Sequence, residues 1–166
     1  MITLPVDDYV WYVDDALDGM VEIVTALGDD LANRRPDVPG TNSPYVILHH
    51  CLGVMEYWGG WVVAGRPVER DRDSEFRASG PVADLVDRVD RARAQLVADV
   101  AAMSDPADPP RNLSAPEDVD YPLGRSQGGV LWHIYEELAQ HRGQMEGCRD
   151  ALLAPWARTA PTPTRA

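Results

Sequence analysis

The stretch QGGVLWHIYEELAQHRGQMEGCRDALL, Gln127 to Leu153, decides how the chain is read. Leu131, Ile134, Leu138, His141, Met145, Cys148 and Leu152 recur at alternating steps of three and four, the spacing of a helix packed lengthwise on other helices. One position in that seam is a histidine. Glu137 stands four residues before His141, and His133 four before Glu137, so on a helix the three side chains follow one another a turn apart. A carboxylate and an imidazole turned toward a bundle core are costly unless they hydrogen-bond, pair or bind a metal. A simple i, i+4 hydrogen-bonded pair and a metal site both answer that requirement, and the seam position of His141 favours the metal site. Gly143, two residues on, sits where glycine costs ~1 kcal/mol against alanine, which predicts a close approach by another group.

The rest of the composition is permissive of one helical domain. At 166 residues the chain is long enough to bury a sizeable core. Its 27 acidic against 15 basic residues give a net charge of −12, which argues against nucleic acid and anionic membrane surfaces as partners. No apolar run approaches the ~20 residues that span a bilayer, and MITLPVDDYV lacks the pattern of a secretory signal. A cytoplasmic location is therefore expected. Cys51 and Cys148 have no clustering partner and read as buried thiols.

In chain order, Pro5 opens a first helix with Asp7 and Asp8 in its first turn. Val6, Val10, Val13, Leu17, Met20, Val24 and Leu27 form its seam, ended by Gly28, and Tyr9, Trp11 and Tyr12 read as packing aromatics. Residues 29–42 form a polar, proline-broken connection. Ser43 as N-cap and Pro44 in the first turn open a second helix to about Ala64. There His50 lies inward among Ile47, Val54 and Trp58, while His49 falls on a polar or small stripe with Gly53 and Glu56. Residues 66–80 read as a solvated charged loop in which Phe76 is the anchor. A third helix follows Pro81, with Val82, Leu85, Val89, Ala92, Leu96, Val100 and Met103 inward and a charged outer face that includes Asp99. Residues 104–126 hold five prolines and are long enough to cover a site, with Tyr121, Arg125 and the acids before them available to line it. The expectation is an all-α four-helix bundle with long crossover loops over residues 1–154 and a disordered tail over 155–166.

A metal site in a bundle core draws ligands from facing helices. His50 from the second helix, with Glu137 and His141 from the fourth, supplies two imidazoles and one carboxylate. Three protein ligands leave positions open, the pattern of catalytic rather than structural zinc, and the same set also suits non-haem iron.

The segment SPYVILHH (Ser43 to His50), the Glu75-Phe76 loop ending at Gly80, and above all HIYEELAQHRGQ (His133 to Gln144) resemble the DinB-like superfamily. That group includes mycothiol-dependent enzymes such as maleylpyruvate isomerase and mycothiol S-transferase. The resemblance covers about residues 5–153. It implies an up-down-down-up bundle, often a homodimer, with a divalent metal on His50, Glu137 and His141. The metal would be zinc, with nickel, manganese or iron as further candidates. It also implies a low-molecular-weight thiol as co-substrate with an electrophilic small molecule as its target. Many relatives carry histidine where this chain has Glu137, and the mycothiol-dependent isomerases are similar in using glutamate. The lysine-free, Arg-, Asp- and Ala-rich composition fits a GC-rich actinobacterial source.

A thiol of pKa near 8.5 is mostly protonated at pH 7, and only the thiolate is a good nucleophile. A divalent cation deprotonates it and holds it beside the electrophile. His133 and Glu136 are then candidates for ligand support or proton transfer, with His133 also open to a role as fourth ligand. Tyr57, Trp58, Trp61 and Trp132 are candidates to line the electrophile pocket, packing being the competing role. Two other functions fit the same ligand set: metal-assisted hydrolysis, for which the HExxH motif is missing, and a non-catalytic metal-binding stress-response bundle.

Overall fold

The computed structural model describes residues 5–113 and 125–159, with side chains described as far as Ala154. It is helical throughout the described residues: α1 (Val6–Ala32), α2 (Pro44–Met55) running on into π-helical turns (Glu56–Ala64), α3 (Arg72–Glu75), α4 (Val82–Ala101) and α5 (Gln127–Thr159). Paired contacts give the directions of the four long elements. Tyr12 meets Tyr135 and Asp15 meets Arg142, in the same order along α1 and α5, so these two run parallel. His50 meets His141 and Trp58 meets His133, in opposite order, so α2 runs against α5. Arg88 bonds His49, and Leu96 lies against Gly59, so α4 follows α2. The bundle is up-down-down-up.

The seams read from the sequence supply the core, except that Val6 at the head of the first is 47% exposed. Leu17, Met20 and Val24 of α1, Leu48 and Leu52 of α2, Leu85 and Val89 of α4, and Ile134, Leu138 and Met145 of α5 are buried in one cluster. Each such side chain stabilises the fold by roughly 1.5–3 kcal/mol relative to exposure. Ser43 caps α2, its hydroxyl accepting from the Val46 amide at 3.3 Å.

Three expectations are corrected, and the second helix, which ends at Ala64 as expected, gains a change of geometry. Gly28 does leave helical geometry, at φ 65°, but α1 resumes beyond that kink to Ala32, so the first connection starts later than residue 29. The second helix changes to π-helical geometry from Glu56. The charged segment 66–80 is not simply solvated, because Asp71 caps the short α3 by accepting from the Ser74 amide and Glu75 is buried. Asp99, expected outside, is buried on α4 because Arg66 donates to both its oxygens, at 3.2 and 2.9 Å, and Gln95 donates to one at 2.9 Å.

The loop after α4 closes that end of the bundle. Arg111 N–H donates to the Val62 carbonyl at 2.8 Å, Asn112 Nδ2 to that of Trp61 at 2.9 Å, and Gln127 Nε2 to that of Pro109 at 3.0 Å. Arg125 is exposed, while Tyr121 and its acidic neighbours lie outside the described residues. At the other end of α5 the helix backbone continues past Pro155 to Thr159, and residues 160–166 of the expected tail lie outside the described residues. No helix among the described residues is long and apolar enough to cross a membrane.

Candidate metal centre

His50 sits two turns into α2, on the side that faces α5. Glu137 and His141 are one turn apart on α5, so the antiparallel pairing of the two helices brings all three residues together. Glu137 Oε2 stands 3.2 Å from His141 Nε2 and 3.7 Å from His50 Nε2. The two imidazole rings are perpendicular, with centroids 5.3 Å apart. One ligand atom from each residue lies within 4.8 Å of the others. Donors at ~2.1 Å from a shared ion with a tetrahedral angle stand about 3.4 Å apart, so small side-chain adjustments bring this group onto a divalent cation.

The ring nitrogens that face away from this point are both occupied. His50 Nδ1 lies 2.7 Å from Glu75 Oε2, and a carboxylate can only accept, so Nδ1 is a donor and Nε2 is the nitrogen turned toward Glu137. His141 Nδ1 lies 2.8 Å from Gln144 Oε1 and is a donor by the same reasoning. Both histidines therefore point Nε2 at Glu137, the orientation that a metal ligand needs once Nε2 gives up its proton.

Glu75 is the functional residue that the reading of the sequence missed. It is 4% exposed and takes two hydrogen bonds from Arg70, at 2.7 and 3.1 Å. It reaches His50 because position 53 of α2 is glycine: a Cβ there would collide with Glu75 Oε1. Two signals were available, the small residue three positions after His50 and the single phenylalanine beside Glu75 in an otherwise charged run. Phe76 stacks on the His50 ring at 5.4 Å. The close approach expected at Gly143 is absent among the described residues, none of which comes within 4 Å of a Cβ built there. Its neighbour Arg142 instead crosses to α1 and fills the space over Gly19.

The charges respond to this arrangement. Hydrogen bonds from His141 and then His50 hold the Glu137 carboxyl far below its ordinary range, against the opposing effect of burial. The bond to Glu137 raises His141 above its ordinary value of 6.5. Burial pushes Glu75 upward, and the hydrogen bonds from Arg70 and His50 outweigh it, so its net displacement is downward. The group is thus a carboxylate flanked by imidazoles, a donor set that suits zinc and other first-row divalent ions.

The remaining predicted residues divide. His133 Nε2 lies 3.8 Å from Glu137 Oε1 and its Nδ1 lies 3.3 Å from Glu136 Oε2, outside the three-residue ligand group. Gln140 Nε2 donates to Glu136 at 2.6 Å. The Trp58 ring meets His133 edge-on at 5.1 Å, and Tyr57 meets Trp58 at 5.2 Å. Trp61 packs against the core, its indole nitrogen buried without a partner among the described residues. Trp132 is 56% exposed and packs on Tyr135, which turns to Tyr12 of α1. The fold therefore gathers Tyr57, Trp58 and His133 beside the ligand group and leaves Trp61 and Trp132 elsewhere.

The DinB superfamily model matches residues 12–145, a span that contains all four long helices in part or whole and every residue of the ligand group. The chain belongs to the DinB superfamily. No curated protein and no solved structure matches it. Within this DinB-like bundle, His50, Glu137 and His141 form a group able to hold a divalent metal.

Proposed function

We propose that this DinB-like protein is a metal-dependent transferase that activates a low-molecular-weight thiol, of the mycothiol kind, for attack on an electrophilic small molecule. Zinc is the ion this reading favours, given two imidazole nitrogens and one carboxylate. The observation that carries the proposal is the one-sidedness of the ligand group. Three donors converge, both outward ring nitrogens are tied to Glu75 and Gln144, and among the described residues no fourth ligand joins them while aromatic side chains stand beside the group.

A divalent ion held there would lower the pKa of a coordinated thiol and make the thiolate abundant at neutral pH. The chain's own residues do the rest. Tyr57 and Trp58 exclude water and offer an apolar wall to the electrophile. Glu136 accepts from His133 Nδ1 and so leaves His133 Nε2 as the acceptor for the thiol proton.

The test is loss of an electrophile such as 1-chloro-2,4-dinitrobenzene, with and without mycothiol, by the zinc-loaded protein and by Glu137→Ala. Thiol-dependent loss by the wild type, abolished in a folded Glu137→Ala variant, supports the proposal. Turnover of ester or amide substrates without thiol would assign metal-assisted hydrolysis instead. Metal binding with neither activity would leave a metal-binding bundle.

A further inference from the structure

In a chain with 27 acidic and 15 basic residues, an arginine has a surplus of carboxylates to pair with. Arg66, Arg70, Arg88, Arg93, Arg142 and Arg149 all do so. Among the described residues Arg34, Arg35, Arg72 and Arg77 form no ion pair, and the fold brings these two sequence neighbourhoods together. Arg35, from the connection after α1, donates through Nη2 to the Phe76 carbonyl at 3.0 Å. Arg72, on α3, holds its guanidinium 5.8 Å over the Phe76 ring. Phe76 in turn lies flat on His50. The three other arginines without an ion pair among the described residues, Arg91, Arg111 and Arg125, belong to other parts of the chain, Arg111 donating to the Ala64 and Ala102 carbonyls.

Among the described residues no carboxylate forms an ion pair with Arg35 or Arg72. Asp71 accepts from the Ser74 amide as the cap of α3. Glu75 is engaged by Arg70 and His50. Asp73 is exposed and forms no ion pair among the described residues. Arg35 and Arg72 are thus two guanidiniums from separate elements, converging on the residue that walls the ligand group. A guanidinium presents parallel N–H donors matched to a carboxylate.

We propose that Arg35 and Arg72 form an anion subsite that takes the carboxylate of a co-substrate whose reacting atom lies at the ligand group. The step from the guanidinium to His50 runs through two ring contacts of 5.8 and 5.4 Å. It therefore selects a molecule whose carboxylate is separated from its reacting atom by several bonds. The placement of that reacting atom rests on the transferase reading above, while the anion subsite itself does not. The carboxylate could belong to the thiol or to the electrophile.

The test has two arms. In the first, metal-free protein is titrated at low salt with glutarate and, as a neutral control, glutaramide, following the arginine Nε–Hε resonances. Saturable shifts at Arg35 and Arg72 with glutarate alone, without shifts at Arg91, are expected, and Arg35→Ala/Arg72→Ala removes the binding. Unmoved resonances at both arginines, or equal movement at Arg91, would overturn the subsite. In the second arm, zinc-loaded protein is titrated calorimetrically with N-acetyl-Cys-Gly-Gly and its C-terminal amide. If the thiol carries the carboxylate, the acid binds roughly fivefold tighter than the amide, as one or two exposed pairs would give, and the preference vanishes in the double variant. Equal binding of acid and amide, with glutarate still bound, assigns the carboxylate to the electrophile. Failure of both thiols to bind while glutarate does would remove the thiol reading and leave the subsite standing.

Discussion

The two halves of the ligand group are supported in opposite ways. On α2, His50 is buried and is held by Glu75, a residue 25 positions away that is itself gripped by Arg70. On α5, Glu137 and His141 have side chains 28% and 26% exposed, and His141 is held by Gln144, three residues along the same helix. One ligand is fixed by tertiary structure and the other two by helical spacing. The α2 side should therefore respond strongly to changes in its support, and the α5 side weakly.

The largest effect is expected from Glu75→Ala. It leaves the Arg70 guanidinium partly buried without its counter-charge and frees the His50 ring. Removing one partner of a buried pair typically costs about 3–5 kcal/mol, and loss of a residue supporting a metal ligand weakens metal binding by roughly 10–100-fold. Urea unfolding and chelator competition measure the two losses. Gly53→Ala should follow, at about 1–3 kcal/mol, because the added methyl displaces the Glu75 carboxylate. Gly143→Ala is the matching change on α5 and should act in the other direction. Nothing occupies its Cβ space, so the helix gains about 0.5–1 kcal/mol and metal affinity stays unchanged. A destabilised Gly143→Ala would show that α5 is approached by something the comparison leaves out.

A smaller effect is expected at Gln144→Ala, where an exposed local contact is lost and metal affinity falls several-fold at most.

The pH dependence comes from the α5 side. His141 is raised above 6.5, so a metal must displace its proton. Affinity should climb as pH rises through that raised value and level off above it. In the metal-free protein the sign reverses for stability. The contribution of His141 is complete below about 6.5 and is lost as pH rises through its folded value. That of Glu137 is present above 4.5 and is lost as pH falls through its depressed value. Chelator competition across about pH 5–9 checks the metal affinity, and urea midpoints from about pH 2 to 9 check both contributions to stability.

This contrast also explains what was legible in the sequence. The seams of α1, α4 and α5, the Ser43 cap and the His50, Glu137 and His141 trio depend on spacings of three and four, which a chain displays openly. The up-down-down-up order came from family resemblance, and pairs such as Asp15 with Arg142 bear it out. Glu75 was not legible as a support because its meaning depends on a loop folding back over Gly53, and charge patterning alone reads such a run as solvated. Asp99 was misread for the same reason, since its partner Arg66 lies 33 residues away. Trp132 shares α5 with the ligands, but its place on the helix turns it outward toward Tyr135 and α1. Gly143 misled because a helical glycine signals either a close neighbour or none, and only the packing tells which.

The most direct test of the ligand group is elemental analysis of untagged protein beside His50→Ala and His141→Ala, with circular dichroism on the same samples. The account predicts about one divalent ion per chain in the wild type and its loss in both variants while each stays helical. A folded wild type that holds no metal and takes up no added zinc, nickel, manganese or iron would contradict it, and would make His50 and His141 hydrogen-bonded core residues.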